Sequence, residues 1–156
     1  MSDTQLLAEI VDRIGSADVA YMTSVGQDGY PRTRAMLNLR NREQYPDQIR
    51  IYADHDRDLL VYLTTNTSSF KRAELEANPR VCLYYCHPAD FFGVALIGDI
   101  EIVDAMAVKE SLWVDWWSRY YPTGQADDPD FTLLRLQPKE VRGWNRGEKF
   151  SFDVPS

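Results

Sequence analysis

Residues 91–103 read Phe91-Phe92-Gly93-Val94-Ala95-Leu96-Ile97-Gly98-Asp99-Ile100-Glu101-Ile102-Val103. The run is rich in β-branched and aromatic residues and carries Gly93 and Gly98, positions where a long strand can bend or bulge. Such bends are what a barrel needs, so this stretch points to a curled sheet. A second β-rich run, Arg80 to Cys86, precedes it. Nearer the N-terminus Val19 to Val25 alternates, with Val19, Tyr21, Thr23 and Val25 on one face. Gly26-Gln27-Asp28-Gly29 then supplies turn chemistry leading back through Pro31 to Leu39, which predicts a β-hairpin. The polar stretch Asn41 to Gln48 reads as an outer loop. Ile49 to Tyr52 and Leu59 to Thr65 read as strands that continue the meander, and Phe131 to Leu136, Val141 to Trp144 and Phe150 to Val154 as closing strands.

Three helices are expected between these strands. Ser2 with Gln5 forms a capping-box pattern ahead of Leu6, Leu7, Ile10, Val11 and Ile14 at helical spacing. Thr67 or Ser68 can cap a helix of about three turns through Ala77, ended by Asn78 and Pro79 because proline lacks the amide donor. Asp104 can cap a third, carrying Val108, Leu112, Trp113, Trp116, Trp117 and Tyr120 and ended by Pro122 and Gly124. Many short strands with few, scattered helices favour a mainly β fold, an antiparallel barrel with about three flanking helices, over a doubly wound sheet.

At 156 residues, with 44% hydrophobic, 26% charged and 12% aromatic residues, the chain has the size and composition of one globular domain spanning 1–156 with a single core. A formal charge of -7 and a pI near 4.8 speak against nucleic acid as the main partner, since such binders need basic patches. No basic segment precedes an apolar run at the N-terminus and no stretch is long enough to cross a bilayer. A cytoplasmic location without membrane attachment is therefore expected. Cys82 and Cys86, about 13 Å apart if both lie on one strand, cannot bridge each other and read as reduced thiols filling core space. With only His55 and His87 to complete a set, no metal site is expected. Neither histidine has a sequence partner to make it a catalytic base, and Asp127 to Asp130 reads as a solvated loop. No GxGxxG, Walker, GxSxG or HExxH motif is present.

Chemistry concentrates in two places. Leu63-Thr64-Thr65-Asn66-Thr67-Ser68-Ser69-Phe70-Lys71 puts hydroxyls, helix-start amides and a lysine at a strand-to-helix junction, where unsatisfied N–H groups and the helix dipole favour a phosphate. The same residue types serve equally as plain helix caps. On the strand from Pro31, period two sets Arg32, Arg34, Met36 and Asn38 on one face. Arg34 with Lys71 would make a sensible phosphate pair, although arginines so spaced also suit a solvated edge with surface ion pairs. Trp113, Trp116, Trp117 and Tyr120 read as core or dimer packing and are left outside the site.

In this order, Arg34-Ala35-Met36-Leu37, Val61-Tyr62-Leu63-Thr64-Thr65, Ser68-Ser69-Phe70-Lys71 and Asn78-Pro79-Arg80-Val81 resemble the pyridoxamine 5'-phosphate oxidase-like split barrels. Leu96 to Asp104, Lys109 to Trp113, and Tyr121-Pro122-Thr123-Gly124 with Asp127-Asp128-Pro129-Asp130 are similar to the general stress protein 26 branch. The resemblance implies a Greek-key type split barrel that binds FMN, with FAD the weaker alternative, in clefts of a homodimer. By that resemblance Arg34 and Lys71 hold the phosphate and Ser69 assists. Ala35, Met36, Thr64 and Thr65 line the ribityl chain and ring, and Trp144 comes from the partner subunit. An FMN-dependent oxidoreductase follows as the expected function, acting on a small molecule or drawing on a reduced nicotinamide, with a non-catalytic flavin carrier or sensor as the alternative. The true oxidases follow their late tryptophan with Arg-Leu-His and carry an arginine beside the phosphate lysine. Here Asn145-Arg146-Gly147-Glu148 and Phe70 stand at those places, so vitamin B6 oxidation is not expected.

Overall fold

The computed structural model describes residues 1–155; Ser156, which closes the expected domain, lies outside the described residues. The chain opens with α1, Asp3–Ser16, started by the predicted capping box. Ser2 Oγ accepts the Gln5 amide at 3.2 Å, while the Gln5 side chain accepts the Ser2 amide at 2.8 Å. The helix buries Ile10 and Ile14 against the sheet.

The expected hairpin forms from β1, Val19–Val25, and β2, Pro31–Leu37, with Val19 opposite Leu37. Ala20 and Met22 face the core, so the alternating set Val19, Tyr21, Thr23 and Val25 is the outer one. The remaining strands are β3, Val61–Asn66; β4, Arg80–His87; β5, Phe92–Val103; β6, Phe131–Leu136; β7, Glu140–Asn145; and β8, Glu148–Asp153. All pairs are antiparallel. The main path runs β2-β1-β4-β5-β6-β3, and β7 branches from β5 and carries β8.

Strand β5 explains the curl. Phe92–Ile97 pairs with β7 on one side and β4 on the other, and Ile100–Val103 pairs with β6. The switch falls at Gly98, where an added Cβ would stand 3.0 Å from the Gln137 carbonyl oxygen and 3.1 Å from Leu136 Cδ1. Glycine lets the backbone pass there, as expected of a bending strand. Rolling the sheet at this point brings its two end strands, β2 and β3, towards each other. The architecture is a mainly β, split antiparallel barrel with peripheral helices.

Several local expectations are corrected. Ile49–Tyr52 is a 3₁₀ turn and not a strand, and β3 does not extend the hairpin but crosses to the far end of the sheet to pair with β6. Asn41 to Gln48 is not simply an outer loop, because Asn41 and Tyr45 are buried. Arg40 pulls this segment inward: its guanidinium donates to Leu60 O at 2.9 and 2.8 Å and to His55 O at 3.0 Å, and lies 4.3 Å from the Tyr52 ring centre. The third helix is α3, Met106–Leu112, with Ala105 and not Asp104 at its N-cap; a separate 3₁₀ turn, Asp115–Tyr120, carries Trp116 and Trp117. The helix after β3 is α2, Phe70–Ala77, shorter than three turns, and its N-cap position is Ser69, not Thr67 or Ser68. Cys82 and Cys86 are free but do not fill the core. Val81, Leu83 and Tyr85 take the inner face of β4, leaving both thiols half-buried outside.

Two clusters make up the hydrophobic interior, on opposite faces of the shared strands β3 and β6. One cluster fills the barrel around Met22, Leu63, Leu83, Leu96 and Leu134, and a second packs Tyr45, Tyr62, Trp117, Phe131 and Leu133 against the outer face of β3 and β6. These two strands are thus covered on both sides, which is why apolar residues of both faces, such as Tyr62 with Leu63 and Leu133 with Leu134, are buried.

Asn38 ties the parts together. Fully buried, it donates to Ile14 O at 2.8 Å and Ala17 O at 2.9 Å, and its Oδ1 accepts the Arg40 amide at 3.1 Å. Asn38→Ala should lower unfolding free energy by about 2–3 kcal/mol, read from urea denaturation, since it strands buried backbone groups. A loss below about 0.5 kcal/mol would contradict this role.

Candidate functional site

A cavity of about 510 Å³ opens where β2 meets β3. Such a volume lies within the range of small-molecule sites. Its floor is Ala35, Met36 and Leu37 of β2 with Thr64, Thr65 and Asn66 of β3, and Lys71 of α2 stands at its edge. The opposite wall is aromatic: Trp116, Trp117, Tyr120 and Tyr121. Lys71 is the one charged side chain among the described lining residues, and it has no carboxylate partner among them within ion-pair distance.

Five of the eight residues expected at the site, Ala35, Met36, Thr64, Thr65 and Lys71, therefore line one cavity. Ser69 lies just behind it, its hydroxyl 3.2 Å from Thr65 Oγ1. Although Ser69 is the N-cap, its side chain gives α2 no capping bond, leaving the first-turn amides available to an anion. Arg34 is not among the lining residues. Its Nη1 donates to Ser24 Oγ at 2.6 Å and its Nη2 to Glu74 Oε2 at 3.3 Å, which anchors it to the same helix as Lys71. Arg32, on the same face of β2, is spent on a surface ion pair with Asp28 at 2.9 Å. Trp144 is not brought to the cavity within one chain. It stands half-exposed opposite Gly93 on the outer sheet face, beside a second hollow of about 860 Å³ shared with Tyr84, Cys86 and Phe91.

The aromatics expected as core or dimer packing also line the cavity. Trp116 and Tyr120 are 44% and 61% exposed, edge to face with centroids 6.1 Å apart, while Trp117 is buried and its indole Nε1 has no hydrogen-bond partner. Helical spacing would have faced all of them inward. The break into a 3₁₀ turn after Trp113 is what rotates Trp116 and Tyr120 outward, and no sequence pattern signals that break.

The acidic loop is likewise not simply solvated. Asp128 is buried and accepts the amides of Thr123 and Asp130 at 2.9 and 2.8 Å. Asp130 accepts Asn66 Nδ2 at 2.7 Å and the Ser68 amide at 2.8 Å, which clips the loop to the strand-to-helix junction. The Asn66 side chain first, then the Ser68 amide, hold the Asp130 carboxyl below its ordinary value. Burial, followed by the Asp130 and Asp128 charges, pushes the Tyr121 phenol up to about 12, so it remains a neutral donor at the cavity wall. His55 does have an orienting carboxylate, Asp58 at 3.0 Å, but it lies outside the cavity, as does His87.

A family model described as pyridoxamine 5'-phosphate oxidase matches residues 6–145. The chain belongs to the pyridoxamine 5'-phosphate oxidase family. General stress protein 26 of Bacillus subtilis (strain 168) is 30% identical over 152 residues, 96% of this chain and 95% of that protein. A crystal structure from Clostridium acetobutylicum, of a protein related to general stress protein 26, superposes with a TM-score of 0.77 at 30% identity, covering 98% of this chain and 97% of the other. A pyridoxamine 5'-phosphate oxidase-related, FMN binding protein of Nostoc punctiforme shares the fold at a TM-score of 0.63 and 14% identity, over 100% and 98% of the two chains.

Within this family frame the two departures seen in the sequence have definite shapes. Phe70, first residue of α2, projects into solvent at 89% exposure. Arg146 and Gly147, with φ of 51° and 90°, form the two-residue turn between β7 and β8, with Asn145 opposite Glu148.

The loop carboxylates set an acid limit. A carboxyl held below its ordinary 3.8 in the folded state contributes stability that is fully present above that value and is lost as pH falls through the lowered one. Between about pH 5 and pH 2 the melting temperature should therefore fall, and Asp130→Asn should make that fall shallower. Identical slopes in the two proteins would show that Asp130 carries no such linkage.

Proposed function

We propose that the chain is an FMN-binding oxidoreductase of the general stress protein 26 type, assembled as a homodimer in the cytoplasm. The observation that carries this reading is the cavity itself, a volume suited to a flavin with one free cation at its edge beside an uncapped helix start and an aromatic wall opposite. The donor set fits FMN. A phosphate monoester wants amides and cations, an isoalloxazine wants flat apolar surfaces with a few polar edges, and both are offered here in one opening.

When bound, FMN supplies the electron or hydride transfer. The chain's own part is binding and shielding. Lys71 and the first-turn amides of α2 would hold the phosphate, with Ser69 and Thr65 bonded to each other nearby and Arg34, paired with Glu74, contributing from β2. Ala35, Met36, Thr64 and Thr65 give the ligand a floor, and Trp116 and Tyr120 limit access of water from the opposite side. No carboxylate, imidazole or thiol is among the described lining residues, which suits chemistry performed by the cofactor. The outer face holding Tyr84, Phe91 and Trp144 offers the exposed aromatic surface that a second copy would cover, and Trp144 of the partner subunit would complete the cleft. Phe70 and the turn at Arg146 leave no arginine pair for a pyridoxal substrate, so another small molecule is the substrate class.

Purified protein mixed with FMN should show a bound-flavin absorption spectrum, and Arg34→Ala with Lys71→Ala should weaken FMN binding by roughly 100-fold or more through lost charge-assisted bonds. Unchanged affinity in the double variant would place the phosphate elsewhere. NADH or NADPH should bleach the bound flavin, with an acceptor restoring it. Bound flavin that neither reductant bleaches would favour the carrier or sensor role.

A further inference from the structure

Arg34, which the proposed reading assigns to the phosphate, is already paired with an anion of the chain itself. Arg34 Nη2 donates to Glu74 Oε2 at 3.3 Å, and the two side chains are only 20% and 21% exposed, so solvent screens this pair less than a surface one. Glu74 follows Lys71 by three residues on α2, which sets both on neighbouring positions of one helix face. Its charge is also felt by Arg32. Other charges on the helix are turned away: Arg72 donates to Glu76 at 2.9 Å and to Thr132 Oγ1 at 2.7 Å.

We infer that Glu74 competes with the phosphate ester for Arg34 and thereby sets how strongly the protein prefers FMN over the unphosphorylated flavin. This rests on the flavin reading above. Arg34 and Lys71 together offer two positive charges, and Glu74 cancels one of them. A phosphate monoester carrying roughly 1.5 to 2 negative charges at neutral pH therefore meets a weaker positive field than the two cations alone would provide. Riboflavin, which lacks the phosphate, enters the same cavity without touching that balance. Glu74 acts through Arg34 and not on the ligand, so it is a specificity-setting residue whose effect is confined to the phosphate.

The substitution Glu74→Gln tests this, because glutamine keeps the size and an oxygen that can still accept from Arg34 while removing the charge. Flavin-free protein is titrated with FMN and, separately, with riboflavin, following quenching of flavin fluorescence. The variant should bind FMN roughly tenfold more tightly and riboflavin within about twofold of the parent. Raising the salt concentration should narrow the FMN difference. Glu76→Gln, which removes a charge from the same helix away from Arg34, should change neither. FMN binding that is unchanged or weaker in Glu74→Gln, or both flavins strengthened alike, would overturn the role of Glu74 while leaving the flavin site standing. A parent protein that binds neither flavin would overturn the site reading and this inference together.

Discussion

Strand β5 is shared between two parts of the sheet: its first half is held by β4 and β7, and its last four residues by β6. A strand can change partners in this way only if its backbone turns between them, and Gly98 stands where a side chain would press on the Gln137 carbonyl and Leu136. Everything downstream follows from that turn. It brings the end strands β2 and β3 close enough to leave a hollow instead of two open edges, and it puts α2 at the rim of that hollow. It also leaves β7 and β8 as a flap whose outer face, with Trp144, points away from the cavity.

The electrostatics of the opening are set by carboxylates as much as by cations. In a chain of net charge -7, a site for an anion has to be built locally. Asp130 occupies the Ser68 amide and thereby pins the acidic loop to the junction, while Glu74 occupies Arg34. Lys71 is left as the unshared charge at the cavity edge. The loop that carries Asp128 and Asp130 is therefore part of the site's frame, holding the Asn66 and Ser68 end of the junction from outside.

Much of the fold was legible in the chain. The capping box at Ser2 and Gln5, the Gly26 to Gly29 turn, and the β-rich runs either side of Pro88 are local signals with local causes, and each formed where expected. The misreadings share a cause. Ile49–Tyr52 has strand-like residues but is held as a 3₁₀ turn with Tyr52 packed under Arg40, and the Asp104 to Tyr120 segment has helical spacing but breaks after Trp113. In both, tertiary contacts override a pattern that is genuine at short range.

The site divides in the same way. The order of residues determined that a hydroxyl-rich junction with Lys71 would follow one strand and that Arg34, Ala35 and Met36 would sit on another, because strand alternation and helix starts are properties of neighbouring residues. Only the tertiary structure decided that Ala35 and Met36 share one cavity with Thr64, Thr65 and Lys71, that Trp116 and Tyr120 also line it, and that Glu74 pairs with Arg34. Those contacts join residues tens of positions apart, and their geometry depends on how far the sheet rolls about β5, a quantity no local pattern encodes.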